Sequence, residues 1–294
     1  MADESSKIPE KTVEQIFDER YPLDKWEDSN YSILDKFSMR GRKGFVTGAA
    51  GGLGRNAAAA LAQAGADVAL VDLTSQEDKL TELAKDMSER FGTNVIALTC
   101  DVTNVEQVAE LKTQLVEQLG TVDFAFLNAG VNVPGDDQDA TEEVWTRTIN
   151  INLNGTYRTG RIAHEIMREH GHGGSLIFTA SLSGHNANYM MGSPTPVNAY
   201  GATKAAIMEH SRYLAAALAK DGIRSNTISP GYVWSGIFNG RIDMPGHDAM
   251  LEVVPMHRFG TNDEIASTVL FLASDASSYV TGIDIRVDGG YSVF

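Results

Sequence analysis

The sequence predicts an α/β fold with one doubly wound parallel sheet that is covered by helices on both faces. Two features of the chain predict it. Short apolar runs alternate with longer amphipathic segments along most of the sequence, and strands separated by helices of this length pair in parallel. The glycine-rich turn TGAAGGLG at 47–54 joins the first apolar run directly to the first helical segment, which is typical of a nucleotide-binding α/β sheet.

Strands are predicted from short runs rich in β-branched and aromatic residues, each bounded by glycine or polar residues. In chain order they are GFVTG, DVALVD, NVIALTCDV, VDFAFLNAG, SLIFTAS, RSNTISPG and GIDIRVDGG, at 44–48, 67–72, 94–102, 122–130, 175–181, 224–231 and 282–290. The segments between them carry apolar residues at helical spacing. They predict helices at 55–65, 75–92, 104–120, 142–170, 198–220 and 263–273.

A change in composition near residue 40 predicts two parts of the chain. Residues 1–38 are polar, mixed in charge and interrupted by Pro9 and Pro22, which indicates an N-terminal extension with a short helix at 12–21. This extension either wraps the main domain or a partner subunit, or it is a mobile tail. Residues 39–294 form the predicted main domain.

Composition and charge exclude several function classes. The formal net charge is −15, so nucleic acid and anionic membranes are repelled. No apolar run reaches the roughly 18 residues that span a bilayer, and the start MADESSKIPEK is too polar for a signal peptide. Cys100 is the single cysteine, so no internal disulfide can form. We therefore expect a cytoplasmic protein.

The glycine-rich turn predicts a phosphate-binding site. Gly48, Gly52 and Gly54, with Leu53 between the last two, lie at the junction of strand and helix. Glycine lets the backbone approach a pyrophosphate closely, and the start of the helix offers N–H groups and the positive end of its dipole. The flanking strands supply the context that a dinucleotide site requires.

Asp72 predicts NAD rather than NADP as the cofactor. It ends the second predicted strand, where a carboxylate can accept hydrogen bonds from the adenosine ribose and repel a 2′-phosphate. Leu73 and Gly51 offer no positive charge for that phosphate. A carboxylate that only caps a loop is the alternative interpretation.

Two further strand ends fit the same ligand. Asp101 and Val102 end the third strand, beside the expected adenine, and Asn128, Ala129 and Gly130 end the fourth. Ligands of open α/β sheets bind at the carboxyl ends of the strands, near the point where the strand order reverses. The NAG tripeptide alone is also typical of a plain turn.

Tyr200 and Lys204, in AYGATK, are the candidate catalytic pair. Residues four apart on a helix share one face. A free tyrosine has a pKa of about 10, too high for a base near neutrality, and a nearby ammonium favours the phenolate. We therefore expect Lys204, helped by a positive nicotinamide ring, to lower the pKa of Tyr200. Such a pair alone is also typical of an ordinary helix surface.

Two polar residues upstream fit beside this pair. Ser181 ends the strand SLIFTAS, where its hydroxyl can hold a substrate oxygen in line with Tyr200. Asn152 lies inside a predicted helix, where its amide can anchor a water molecule linked to Lys204. Each of them could also be a cap or a satisfied polar group of the core.

Together, TGAAGGLG, the strand-end Asp72, CDV, NAG, NLNG, SLSG, YGATK and SPG resemble the short-chain dehydrogenase/reductase family over residues 44–290. The resemblance implies a single Rossmann-like domain, hydride transfer involving a nicotinamide cofactor, and a catalytic tetrad of Asn152, Ser181, Tyr200 and Lys204. The gap from Ser181 to Tyr200 is longer than in most relatives, with the extra residues within NYMMGSPTP. Ser183 is therefore kept as the second candidate serine.

The resemblance also covers the C-terminal third of the chain. It implies that Pro230, Gly231, Val233 and Ser235, in SPGYVWS, contact the nicotinamide, although the family usually has threonine where Ser235 stands. The segment SYVTGIDIRVDGG resembles the family's assembly segment. We therefore expect a homotetramer, with a dimer as the alternative.

The substrate is predicted from the residues around the reacting centre. HNANYMMGSPTPVN at 185–198 mixes hydrogen-bonding groups with methionines, and 232–258 form a predicted lid. Polar groups there favour a polyol or sugar alcohol that is oxidised to a ketose, because a buried amide needs a hydroxyl partner. The alternatives are a 3-oxoacyl thioester or small ketone reductase and, from another class, a scaffold that binds NAD(H) without turnover.

No metal site is predicted. The stretch HEIMREHGH at 164–172 lacks the spacing H-E-x-x-H, because Arg168 occupies the fifth position. We interpret these histidines as a solvated helix end. His185 and His257 are predicted at the surface.

Overall fold

The computed structural model describes residues 32–188, 197–235 and 247–293. The chain divides into two compact units, residues 1–36 and 37–294. Ile33–Phe37 form a short 3-10 helix. The predicted helix at 12–21, the methionine-containing segment at 189–196 and the middle of the predicted lid, 236–246, lie outside the described residues.

Strands alternate with helices through the second unit, as the sequence predicts. The strands are β1 (Lys43–Thr47), β2 (Asp67–Asp72), β3 (Val95–Thr99), β4 (Phe124–Leu127), β5 (Gly174–Thr179), β6 (Ile223–Pro230) and β7 (Asp284–Val287). The helices are α1 (Gly52–Gln63), α2 (Glu77–Phe91), α3 (Val105–Leu119), α4 (Glu142–Ile149), α5 (Thr156–His170), α6 (Ala199–Leu218), α7 (His247–Glu252) and α8 (Asn262–Ala273).

The described strands form one parallel sheet in the order β3-β2-β1-β4-β5-β6-β7. Strand β1 pairs with β2 on one side and with β4 on the other. The chain therefore extends the sheet in one direction as far as β3 and in the opposite direction from β4 onward. The carboxyl ends of β1 and β4 flank this reversal, where ligands of such sheets bind. The predicted doubly wound, Rossmann-like fold is confirmed.

Apolar side chains alternate between two hydrophobic clusters on the two faces of the sheet. On β1, Phe45 belongs to one cluster and Val46 to the other, and both are fully buried. On β5, Phe178 and Ile177 are divided in the same way. Successive residues of a strand point to opposite faces, so a sheet with helices on both sides buries nearly every residue of its central strands β1, β4, β5 and β6.

The helix predicted at 142–170 consists of three consecutive segments. Helix α4 ends at Ile149, a π-helical stretch spans Asn150–Gly155, and α5 follows directly. A π-helical turn widens the helix locally and is frequent at functional sites. Periodicity predicts the helix but not this local widening.

Among the described residues, no helix is both long and apolar enough to cross a bilayer.

Candidate active site

The glycine-rich turn is tightly packed between β1 and α1. Gly48 has φ +67°, in the left-handed region that favours glycine. A Cβ atom on Gly54 would lie 2.2 Å from the carbonyl oxygen of Gly48, and one on Gly52 would lie 2.0 Å from that of Ser235. No larger residue fits at these positions. Gly51, at the N-cap of α1, makes no side-chain hydrogen bond, so the first-turn N–H groups face the turn without a side-chain cap.

Asp72 is held against this turn by backbone hydrogen bonds. Its Oδ2 accepts from the N–H of Ala50 at 3.0 Å, and its Oδ1 accepts from the N–H of Leu73 at 2.8 Å. Lys79, from α2, donates to the carbonyl oxygen of Ala50 at 2.7 Å. Lys79 was not predicted from the sequence, because it lies seven positions beyond Asp72, in the helix that follows the cofactor motif.

The residues that end β3 and β4 line the same edge of the sheet. The Asp101 carboxylate accepts from both the N–H and the hydroxyl of Thr103, and Val102 is buried against Gly155 of the π-helical stretch. The hydroxyl oxygen of Thr47 accepts from the N–H groups of Asn128 and Ala129, at 2.9 and 3.0 Å. Thr47 thereby fixes the end of β4 to the end of β1.

Tyr200 and Lys204 lie on the first turns of α6, with the ammonium 5.4 Å from the centre of the tyrosine ring. Lys204 is buried and donates to the carbonyl oxygen of Thr179, at the end of β5, at 2.7 Å. A Cβ atom on Gly130 would lie 3.6 Å from its Nζ. Gly130 therefore places the loop after β4 beside Lys204, and the tighter neighbour of such a Cβ atom is Oδ1 of Asn152, at 3.2 Å.

In the protein alone the net shift of the Tyr200 pKa is upward, and the lowering predicted with a bound nicotinamide stays a prediction. Burial raises the pKa of Tyr200, and a hydrogen bond with Ser181 opposes this rise only in part. Burial lowers the pKa of Lys204 to about 8. Loss of water disfavours the charged form of both groups, and it is the largest cause of each shift. A positive charge bound beside the phenol would act in the opposite direction.

The structure separates the roles of the two candidate serines. Ser181 is the serine whose side chain lowers the pKa of Tyr200, and its hydroxyl oxygen accepts from the N–H of Ser183 at 3.1 Å. The hydroxyl oxygen of Ser183 accepts instead from the side-chain amide of Asn188 at 3.0 Å. The structure thus brings Ser181, rather than Ser183, to the tyrosine.

Asn152 lies in the π-helical stretch and is fully buried. Its Oδ1 accepts from the N–H of Val131 and its Nδ2 donates to the carbonyl oxygen of Val131, both at 2.8 Å. Each polar atom of the amide thus makes one hydrogen bond to the loop after β4 and keeps the capacity for a second. The predicted contact of this amide with a water molecule stays a prediction.

The predicted nicotinamide-contact residues follow β6. Pro230 is its last residue, Gly231 donates to the carbonyl oxygen of Val287 at 2.9 Å, and Val233 pairs with Gly260. A Cβ atom on Gly231 would lie 2.6 Å from the Cα atom of Asp288. With Ser235 against Gly52, this segment closes one side of the glycine turn.

A polar and aromatic wall, formed by Asn188, Tyr232 and Tyr291, lies next to this segment and was not predicted from the sequence. Tyr232 donates from its hydroxyl to Oδ1 of Asn188 at 2.8 Å, and Tyr291 does so at 3.5 Å. The two tyrosine rings meet edge to face, with their centres 5.4 Å apart. Asn188 also bonds Ser183, so the wall joins the loop after β5 to the C-terminal residues.

Asp136 is a second residue that was not predicted from the sequence. It lies in the loop after β4, is 6% exposed, and accepts from the N–H groups of Ala199 and Tyr200 at 2.7 and 2.8 Å. It caps the helix that carries Tyr200. Sequence offers no signal for this contact, because 64 positions separate Asp136 from Tyr200.

The histidines are placed differently from the prediction in two cases. His185 is not a plain surface residue, since its Nε2 lies 2.8 Å from the Asp284 carboxylate. His164 is half-buried rather than solvated, and its Nδ1 has no hydrogen-bond partner within the described part of the chain. The described residues contain no group of three or more histidine, cysteine, aspartate or glutamate side chains that could hold a metal ion.

A family model described as enoyl-(acyl carrier protein) reductase matches residues 48–292. A sorbose reductase from Schizosaccharomyces pombe is 40% identical over 261 residues, covering 88% of this chain and 99% of that protein. An NADP-dependent mannitol dehydrogenase from Alternaria alternata is 36% identical over 263 residues, covering 89% and 96%.

A solved structure is similar over nearly the same region. The crystal structure of a short-chain type dehydrogenase/reductase from Mycobacterium marinum has a TM-score of 0.83 and 35% sequence identity. The alignment covers 90% of this chain and 100% of that one.

Proposed function

Because the chain belongs to the short-chain dehydrogenase/reductase family, we propose that it interconverts a secondary alcohol and a ketone with NAD, and that the pair is a polyol or sugar alcohol and a ketose. The observation that carries this proposal is the position of Tyr200 at the carboxyl edge of the sheet, beside the glycine turn. Its side chain lies next to Ser181 and near the ammonium of Lys204. These groups suit proton transfer to and from an alcohol oxygen.

The glycine turn fits a dinucleotide. Its glycines allow the close approach of backbone that a pyrophosphate needs, and α1 starts there with N–H groups to bind it. The residues that would hold the cofactor are those predicted from the sequence, listed here: Gly48, Gly52, Leu53, Gly54, Asp72, Asp101, Val102, Asn128, Ala129, Gly130, Tyr200, Lys204, Pro230, Gly231, Val233 and Ser235. Asp72 favours an adenosine ribose without a 2′-phosphate, so NAD is preferred to NADP.

The proposed mechanism assigns one role to each member of the tetrad. A nicotinamide held at this site would supply the acceptor for the hydride of the alcohol carbon. Tyr200, as the phenolate, takes the proton of the alcohol, and Ser181 donates a hydrogen bond to the same oxygen as it becomes a carbonyl. Lys204 supplies positive charge beside the phenol. Asn152 holds the loop after β4 against this centre through Val131.

The polar wall supports a hydroxyl-rich substrate. Asn188, Tyr232 and Tyr291 form hydrogen bonds beside the loop that carries Ser181, and polar groups in a closed site select substrates that can pair with them. Sorbose and mannitol, in the names of two relatives, are a ketose and a polyol.

A thioester or small ketone reductase is the second candidate, favoured by the description of the matching family model. An acyl carrier protein is acidic, and a chain of net charge −15 is a poor partner for it.

We further propose a cytoplasmic homotetramer with residues 1–38 as an extension of the main domain; light scattering of the purified protein tests the tetramer against a dimer.

Turnover of a substrate panel tests the proposal. The protein is mixed with NAD⁺ or NADP⁺ and sugar alcohols, other secondary alcohols and hydroxyacyl thioesters, and reduced nicotinamide is followed by absorbance. We expect turnover of a polyol with NAD⁺, lost in Tyr200→Phe and kept in the control Tyr213→Phe, which removes the hydroxyl of an exposed tyrosine on the same helix. Turnover of thioesters alone supports the second candidate. Binding of NADH without any turnover supports the scaffold.

A further inference from the structure

We propose that Lys79 is a specificity-determining residue for the adenosine end of the cofactor: its ammonium offsets the repulsion between Asp72 and a 2′-phosphate and keeps NADP within reach of this site. The inference rests on the proposed dinucleotide site. It concerns which form of the cofactor binds, and it does not depend on the alcohol substrate.

The geometry that carries this inference centres on Ala50, in the glycine-rich turn. Asp72 accepts from the N–H of Ala50 at 3.0 Å, while Lys79 donates to its carbonyl oxygen at 2.7 Å. The two charged side chains therefore bind the two polar groups of one residue. The Asp72 carboxylate oxygen and the Lys79 nitrogen therefore lie at most roughly 9 Å apart, since two hydrogen bonds and the polar atoms of one residue span no more than that.

The positions at which a motif search expects a cation for NADP are neutral. Gly51 has no side chain, and Leu73 is half exposed and apolar. Lys79 reaches the same region from another element, because it lies on the first turn of α2, which starts at Glu77, and its ammonium contacts Ala50. Glu77 and Asp78 precede Lys79 on the first turn of α2 and add negative charge. Lys79 is therefore the residue of that first turn that brings positive charge to the glycine-rich turn, through its contact with Ala50.

The chemistry of an ammonium suits this role. It has three donors, so the bond to Ala50 leaves donors for a phosphate oxygen. Charge-assisted hydrogen bonds to phosphate are stronger than neutral ones, and the long flexible stem of a lysine lets the ammonium adjust. Asp72 favours the unphosphorylated ribose, and Lys79 limits how strongly NADP is rejected. A lysine that only fastens α2 to the turn would affect both cofactors alike.

Cofactor binding without substrate tests the assignment. NADH and NADPH are titrated separately into the full-length protein, with reduced-nicotinamide fluorescence as the readout. For Lys79→Met we expect the Kd of NADPH to rise about tenfold or more, the loss of one charge-assisted contact, while the Kd of NADH stays within about threefold. Lys79→Arg should retain most of the NADPH affinity, since it keeps the charge.

Lys85→Met is the matched control, because Lys85 is an exposed lysine on the same helix, 3.9 Å from Glu89. It removes the same charge from the protein but not from the turn, so both Kd values should be unchanged. An equal rise in both Kd values for Lys79→Met would overturn the proposal and leave a structural fastening role. No change in either value would also overturn it. If Lys79→Met raises the Kd of NADPH alone but the protein turns over no polyol, the result counts against the proposed substrate only.

Discussion

The carboxylate of Asp136 accepts a hydrogen bond from the backbone N–H of Tyr200 at 2.8 Å. The neighbouring N–H of Ala199 donates to the other carboxylate oxygen at 2.7 Å. Asn198, at the N-cap of α6, makes no side-chain capping bond, so Asp136 satisfies the helix start from a distant loop. The loop after β4 thereby sets the position of the predicted catalytic base.

Replacement of Asp136 should impair both folding and turnover. Asp136→Ala removes a buried cap and leaves two N–H groups without their acceptor, so we expect a loss of about 1–3 kcal/mol in the free energy of unfolding. The kcat for the alcohol should fall more than its KM changes, because the phenol is displaced from the reacting oxygen. Denaturant unfolding and steady-state kinetics measure the two effects.

The control for Asp136 comes from the same loop. Asp139 is exposed, and Asp139→Ala should change stability by less than about 0.5 kcal/mol. Asp136→Asn keeps one acceptor oxygen and should lie between Asp136→Ala and the wild type. Unchanged kcat in a folded Asp136→Ala protein would show that the cap does not position Tyr200.

The contact between Gly52 and Ser235 predicts a loss of cofactor binding on substitution. A Cβ atom at Gly52 would lie 2.0 Å from the carbonyl oxygen of Ser235, so Gly52→Ala must displace the segment after β6. We expect the Kd of NADH to rise about tenfold or more, measured by fluorescence titration. In the control Gly260→Ala the nearest atom is 3.5 Å away, and binding should be retained. Equal affinities for the two variants would contradict the close approach.

Burial of Lys204 predicts a pH dependence of stability. Burial lowers its pKa from 10.5 to about 8. Between these values the unfolded chain binds more protons than the folded one, so this group makes the free energy of unfolding rise with pH from about 8 to 10.5. Below that window both states are protonated and the contribution is constant. Lys204→Met should reduce the slope, measured by denaturant unfolding at several pH values; an unchanged slope would argue against burial of the ammonium.

Asp284 predicts a large loss of stability on removal. Its carboxylate is bonded by the hydroxyls of Thr227 and Ser229 and lies 2.8 Å from Nε2 of His185. Asp284→Ala leaves these largely buried groups without an acceptor, and we expect unfolding to become easier by about 2–4 kcal/mol. The exposed ion pair of Asp275 with Arg42 offers the control, since Asp275→Ala should cost less than about 1 kcal/mol. Similar losses for both variants would mean that the carboxylate is not part of a buried network.

Sequence alone predicts the features of this protein that depend on near neighbours in the chain. The alternation of apolar runs and amphipathic segments specifies the parallel sheet, because each pattern has only one way to bury its apolar face. The glycine-rich turn and the pairing of Tyr200 with Lys204 are local as well, since a strand-to-helix turn and a spacing of four are properties of a few consecutive residues.

The tertiary structure decides what depends on packing between distant segments. It brings Ser181 rather than Ser183 to Tyr200, places Asp136 under the helix that begins 63 positions later, and sets Lys79 against Ala50. It also raises the pKa of Tyr200 in the protein alone, since the removal of water disfavours the phenolate. Burial and non-local hydrogen bonds exist only once the chain is folded, so no motif encodes them.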